Sequence, residues 1–240
     1  MEFQCKEFYL NHSNSSMKIG TDAIVLSSLS PNISPSKILD IGTGCGIIAL
    51  CMAQKHTLSE ITAIDIDSNS IQEADLNFKN SKFKSRLRAK EIDLISFSKE
   101  SKEEFDLIIT NPPYFISSLE SPLQKRTNAR HTSSLTYDDL IKSSKKLLSK
   151  DGILCIILPR KESEIFIDKA RELEFEIIKT INIYSKANKE CERVVLHLKN
   201  KKQNPTQVIQ DDIEVHRIIL RNNDNTPTKE YLSLVNDFLL

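Results

Sequence analysis

The chain has 240 residues, 39% of them hydrophobic and 28% charged, with 33 basic side chains balancing 33 acidic ones. Such a composition belongs to an ordinary globular domain with one sizeable core, and zero net charge does not mark the chain as a nucleic-acid binder. No apolar run approaches membrane-spanning length, Met1 to Lys6 carry no hydrophobic signal region, and Cys5, Cys45, Cys51, Cys155 and Cys191 form no Cys-x-x-Cys pair; a cytoplasmic protein with neither disulfide framework nor metal site is expected.

In chain order, the first strand candidate is Ser36-Lys37-Ile38-Leu39-Asp40-Ile41, a short apolar run with an acid near its end. Gly42-Thr43-Gly44-Cys45-Gly46 follows, then a helix-like stretch from Ile47 to Gln54. Glycines at a strand-to-helix turn let the backbone approach a ligand and adopt positive φ. A dinucleotide-binding loop needs glycine where Ile47 stands, so the spacing fits Gly-x-Gly-x-Gly instead. With Asp40 in front, it resembles the first motif of S-adenosylmethionine-dependent methyltransferases. There Asp40 can face the cationic amino group of the methionine moiety, with the backbone of Gly42, Gly44 and Gly46 close by.

The next strand candidate, Glu60 to Asp65, also ends in an acid, which can accept from both ribose hydroxyls of an adenosine. Ser68 and Asn69 look like caps of a helix reaching Asn80, and Asp67 would serve its first turn. A strand around Leu87 to Ile92 leads to a third acid, Asp93, placed to accept from the adenine amino group. The basic residues from Lys79 to Lys90, and those from Lys142 to Lys150, read as solvated faces.

Phe105 to Ile109 reads as a buried strand, and Thr110-Asn111-Pro112-Pro113-Tyr114-Phe115 lies at its carboxyl end, where open α/β sheets place ligand chemistry. Two consecutive prolines stiffen the loop and leave bare carbonyl acceptors. An amino group on a conjugated ring is a poor nucleophile because its lone pair is delocalised. If the Asn111 oxygen and the Pro112 carbonyl accept its two N–H protons, the lone pair can be held toward an electrophile while Tyr114 stacks on the ring. Alone, Asn-Pro-Pro-Tyr is equally a rigid turn. After Asp40, the glycine loop, Asp65 and Asp93, the ordered set is specific. Arg126, Arg130 and His131 would sit near the mouth of this loop and could contact phosphates.

Thr136 can cap a helix from Tyr137 to Leu148, and Gly152 to Leu158 is a fully apolar strand. A charged helix from about Glu162 to Glu174 precedes strands at Phe175 to Ile183 and Arg193 to Leu198, whose short connection predicts antiparallel pairing. After a polar loop from Asn200 to Gln207 come a strand near Glu214 to Ile219 and a helix from about Pro227, capped by Thr226. This alternation predicts a mostly parallel α/β sheet covered by helices on both faces.

Further segments carry a more specific resemblance. Lys6-Glu7-Phe8-Tyr9-Leu10-Asn11-His12, Met17-Lys18-Ile19-Gly20-Thr21-Asp22, Ala129-Arg130-His131-Thr132, Ser133-Ser134-Leu135 and the tail from Arg217 through Tyr231 to Phe238 resemble the bacterial tRNA(valine) adenine N6-methyltransferase family, over nearly the whole chain. Met-Lys-x-Gly-Thr-Asp is its more family-specific part; the other motifs are shared by several amino-methylating families. The resemblance implies a Rossmann-like class I methyltransferase fold, its sheet of the seven-stranded type with an antiparallel C-terminal edge. It implies a single domain, with residues 1–36 covering substrate and cofactor and residues 37–240 forming the catalytic core. S-adenosylmethionine would be the cofactor, held by Thr21 as well as the glycine loop and the three acids. The substrate would be tRNA, methylated on the adenine beside the anticodon and contacted by Lys6, Phe8, Lys18, Arg130 and His131. A monomer is expected. A typical member has Glu where this chain has Asp65, which shortens the reach to the ribose. Three alternatives stay open: ribosomal-RNA guanine N2 methylation, protein glutamine methylation, and a non-catalytic S-adenosylmethionine-binding scaffold.

Overall fold

A computed structural model describes residues 2–13, 15, 19–112, 135–201 and 214–239. Strands β1 (Glu2–Gln4) and β2 (Tyr9–Asn11) pair antiparallel as a small separate sheet. The core alternates strand and helix: α1 (Thr21–Ser28), β3 (Lys37–Ile41), α2 (Ile47–Lys55), β4 (Glu60–Asp65), α3 (Ser68–Asn80), β5 (Leu87–Glu91), α4 (Leu94–Glu100) and β6 (Phe105–Thr110). After it come α5 (Tyr137–Leu147), β7 (Leu148–Pro159), α6 (Arg160–Glu172), β8 (Phe175–Lys186), β9 (Cys191–Asn200), β10 (Glu214–Arg221) and α7 (Lys229–Val235).

The main sheet has the order β10-β8-β9-β7-β6-β3-β4-β5. Its central strands are buried on both faces, which is why they read as continuous apolar runs rather than alternating ones. All pairings are parallel except those of β9, which runs against both β7 and β8. The antiparallel feature near the C-terminal edge is therefore β9 alone, and the outermost strand β10 returns to the parallel direction. One core, containing Ile24, Leu50, Met52, Phe78, Val235 and Phe238, fills the face under α1, α2, α3 and α7; a second, containing Phe97, Phe105, Leu140, Ile141 and Phe166, fills the face under α4, α5 and α6.

Local chemistry explains most boundaries. Asp67 accepts from the Ser70 N–H and caps α3, so Ser68 and Asn69 are its first helical residues rather than its caps. Thr136 and Asp139 form a reciprocal capping box at α5. The last helix starts later than expected, because Thr228, not Thr226, accepts the Tyr231 N–H. Thr226 instead donates its hydroxyl to Asp224, closing a turn in which Pro227 bridges to Arg221. Helices α1 and α4 and the β1–β2 pair have no counterpart among the expected elements.

Candidate active site

Strand order reverses between β3 and β6, so the loops after these two strands diverge and leave a crevice at their carboxyl ends. The register sets Ile41 opposite Thr110, and the Thr110 hydroxyl donates to the Ile41 carbonyl at 2.9 Å. Gly42 and Asn111 therefore leave the sheet side by side. A cleft opens there, lined by Gly42 to Cys45, Ile47, Ile48 and Asn111 together with Ile19, Gly20 and Ala23.

Gly42, Gly44 and Gly46 all have positive φ. Only Gly46 is also short of space: a Cβ there would meet Phe78 Cε1 at 2.5 Å. The loop is pinned from behind. Gly42 and Thr43 donate their N–H groups to the Ile64 carbonyl, and Gly44 donates to Asp65 Oδ2 at 2.9 Å.

Among the described residues, two buried acceptors beside the glycine loop have no hydrogen-bond partner. Asn111 Oδ1 is one; the other is Asp40 Oδ1, on a side chain with no solvent exposure. Asp40 Oδ2 accepts the Thr43 hydroxyl at 2.6 Å, yet burial, with the Asp65 charge adding to it, outweighs that bond and the pull of the Ala49 N–H and raises the carboxyl pKa to about 7. An orphaned buried acceptor carries a desolvation cost, so such atoms mark where ligand donors fit. The pair suits a cation beside Asp40 and an amino group beside Asn111.

The other expected residues divide. Asp65 is near the cleft, its Oδ1 also accepting the Asp67 N–H at 3.0 Å. Asp93 is exposed and caps α4, and bonds from the Ser96 hydroxyl and N–H hold its carboxyl below the usual range. Thr21 begins α1 between the cleft-lining Gly20 and Ala23. Phe8 is buried edge-on against Phe83, with ring centroids 6.4 Å apart. Lys6 lies against the tail, its Nζ donating to Asn236 Oδ1 at 3.2 Å. The structure brings neither Lys6 nor Phe8 to the lining of the cleft. Pro112 is buried beside Asn111, while Pro113, Tyr114, Lys18, Arg126, Arg130 and His131 fall outside the described residues. Among the described residues no group of His, Cys, Asp and Glu could hold a metal ion, and no helix is long and apolar enough to cross a membrane.

Arg193, Glu73 and Asn77, which no motif marks, also build the site. Arg193 Nε pairs with Asp22 Oδ2 at 2.9 Å, tying the first turn of α1 to strand β9. Glu73 and Asn77 on α3 bond the N-terminal segment; their signal is a polar pair one turn apart on the face that also carries Ala74 and Phe78.

Comparison with known proteins adds three kinds of likeness. Residues 11–169 match the family model described as the methyltransferase small domain. A tRNA1(Val) (adenine(37)-N6)-methyltransferase from Flavobacterium psychrophilum is 34% identical over 239 residues, covering 99% of both chains. One of the same name from Parabacteroides distasonis is 41% identical over 170 residues, 71% of each chain. Among solved structures, a predicted O-methyltransferase from Agrobacterium tumefaciens superposes with a TM-score of 0.68 at 16% identity, covering 90% of this chain and 96% of that one. A ribosomal protein L11 methylase from Lactobacillus delbrueckii gives 0.55 at 18% identity, covering 80% and 84%. These structural likenesses bear on the fold alone.

Proposed function

Because this chain belongs to the tRNA1(Val) (adenine(37)-N6)-methyltransferase family and carries its methyltransferase small domain, we propose that it methylates the exocyclic N6 of adenine 37 in tRNA(valine). S-adenosylmethionine, when bound, supplies an electrophilic methyl group. Asp40 meets the cationic amino group of that cofactor with its unpartnered oxygen, and the left-handed glycine loop lets the backbone lie against the ligand. Asp65 already accepts from Gly44 and Asp67, yet each carboxylate oxygen keeps a second lone pair for the ribose hydroxyls. Asp93, as a cap, likewise keeps acceptor capacity for the adenine of the cofactor.

The observation that carries this function is the bare, buried Asn111 Oδ1 beside the glycine loop. It accepts one N–H of the target amino group and the Pro112 carbonyl accepts the other, turning the nitrogen lone pair into the cleft. The target base leaves its stack to reach this position, and Tyr114 offsets part of that cost by stacking, worth roughly 1–3 kcal/mol. No strong base is needed, because the amino proton becomes acidic once the nitrogen carries a methyl group and departs to water. Arg130 and His131 contribute phosphate contacts. An end-to-end match to tRNA-modifying relatives favours this substrate over guanine N2 or protein glutamine, and a buried acceptor with no partner among the described residues favours an enzyme over a binding scaffold.

The test pairs single-turnover methyl transfer to tRNA(valine) with cofactor calorimetry. Asn111→Ala is expected to slow transfer by roughly 100-fold or more, the scale of a misplaced reacting group, while cofactor affinity stays within about twofold. Near-wild-type transfer would mean that the Asn-Pro-Pro-Tyr loop is only a turn.

A further inference from the structure

Helix α3 connects the cleft-lining glycine loop to an N-terminal segment far from it in sequence. Glu73 and Asn77 stand one turn apart on its inner face, 5% and 2% exposed. Asn77 uses both ends of its amide: Oδ1 accepts the Asn11 N–H at 2.9 Å, and Nδ2 donates at 2.8 Å to both the Asn11 and Cys45 carbonyls. Glu73 accepts the Ser13 N–H at 2.7 Å on one oxygen and the Ser15 N–H at 2.8 Å on the other. Cys45 lies between Gly44 and Gly46 and lines the cleft. One buried amide thus holds the glycine loop and the N-terminal segment together.

We propose that Asn77 is a positioning residue that makes the glycine loop and the segment holding Asn11, Ser13 and Ser15 a single cofactor cradle, so that seating the segment and binding the cofactor strengthen each other. The inference rests on the cleft being the S-adenosylmethionine site. Its physical basis is that a buried amide is satisfied only when all its partners are in place. Losing Asn11 leaves Oδ1 bare, and losing Cys45 leaves an N–H bare. A fixed Cys45 carbonyl also fixes the peptide plane it shares with the Gly46 N–H, which donates to the Thr43 carbonyl at 2.9 Å, and so holds the course of the loop along the cleft. Linkage then requires reciprocity: the factor by which the seated segment raises cofactor affinity is the factor by which cofactor suppresses unseating.

Hydrogen exchange at the Asn11, Ser13 and Ser15 amides of the full chain, with and without S-adenosylhomocysteine, measures the coupling directly. Calorimetry with the same ligand on wild type, Asn77→Ala and Glu73→Gln measures its reciprocal. Ligand is expected to slow exchange at these amides about tenfold in wild type. Asn77→Ala should bind about tenfold more weakly and lose that added protection, and Glu73→Gln should show a weaker form of both effects. Exchange that ignores the ligand, or an Asn77→Ala protein with wild-type affinity, overturns the coupling and leaves the cofactor site standing. A wild-type protein that does not bind S-adenosylhomocysteine overturns both. Should Asn77→Ala not fold, wild-type exchange and Glu73→Gln still decide.

Discussion

Asp40 shows how a side chain suited to a ligand weakens the protein that holds it. Its carboxyl is raised from 3.8 to about 7, so the native state binds more protons than the unfolded chain between those values and stability falls as pH rises through that window. The full shift corresponds to roughly 4 kcal/mol. Asp40→Asn removes the titrating group, so its melting temperature should exceed that of wild type at pH 8, by about 2–4 °C for each kcal/mol recovered, and the gap should close toward pH 4. A variant that melts lower at pH 8 would show that the buried charge is not the source of the cost. Function should move the other way. A cation beside Asp40 favours its ionised form, so wild-type cofactor affinity should climb as pH rises toward 7 and proton uptake measurements should show release on binding at pH 6. Asp40→Asn should bind at least tenfold more weakly and lose that pH dependence.

At the scale of elements, the turn from β3 into α2 depends on one close approach. Gly46 combines φ of +89° with a would-be Cβ 2.5 Å from the Phe78 ring, so helices α2 and α3 pack through the missing side chain. Gly46→Ala is expected to lower unfolding free energy in urea by about 2–4 kcal/mol, combining left-handed strand-to-helix strain with overpacking. Adding Phe78→Leu should return part of the loss; no recovery would place the cost in the backbone alone. The glycine loop was legible beforehand because its spacing is a statement about backbone. The runs ending at Ile41, Asp65 and Thr110 were legible as strands because burial on both faces makes them mostly apolar, with Ile38 and Leu39, Ala63 and Ile64, and Leu107 to Ile109 in succession. Helix α1 was not, since Ala23 to Leu26 is one short apolar run without a period. Helix α4 was hidden because its main signal, Asp93, can be a cap or a ligand. The roles of Asn77 and Glu73 were not legible for a different reason: their partners are main-chain atoms, and no side-chain motif records those.

Across the whole molecule, the two ends of the described chain meet beneath α2. Lys6 donates its N–H to the Phe238 carbonyl at 2.8 Å, Gln54 donates to the Asp237 carbonyl, and Phe238 is 1% exposed in the core under α1 and α2. Phe238→Ala should therefore cost about 3–5 kcal/mol in denaturant unfolding, and amide exchange of Cys5 and Lys6 should quicken with it. Unchanged exchange at those two amides would mean that the segment is held without the tail. Positions 6 and 238 are separated by nearly the full length of the chain. At 5–20 residues per second, roughly 10–50 s of translation pass between them. Phe8 can settle on Phe83 and Asn11 on Asn77 well before the tail emerges, but the Lys6 N–H keeps no carbonyl to bond until Phe238 has been made.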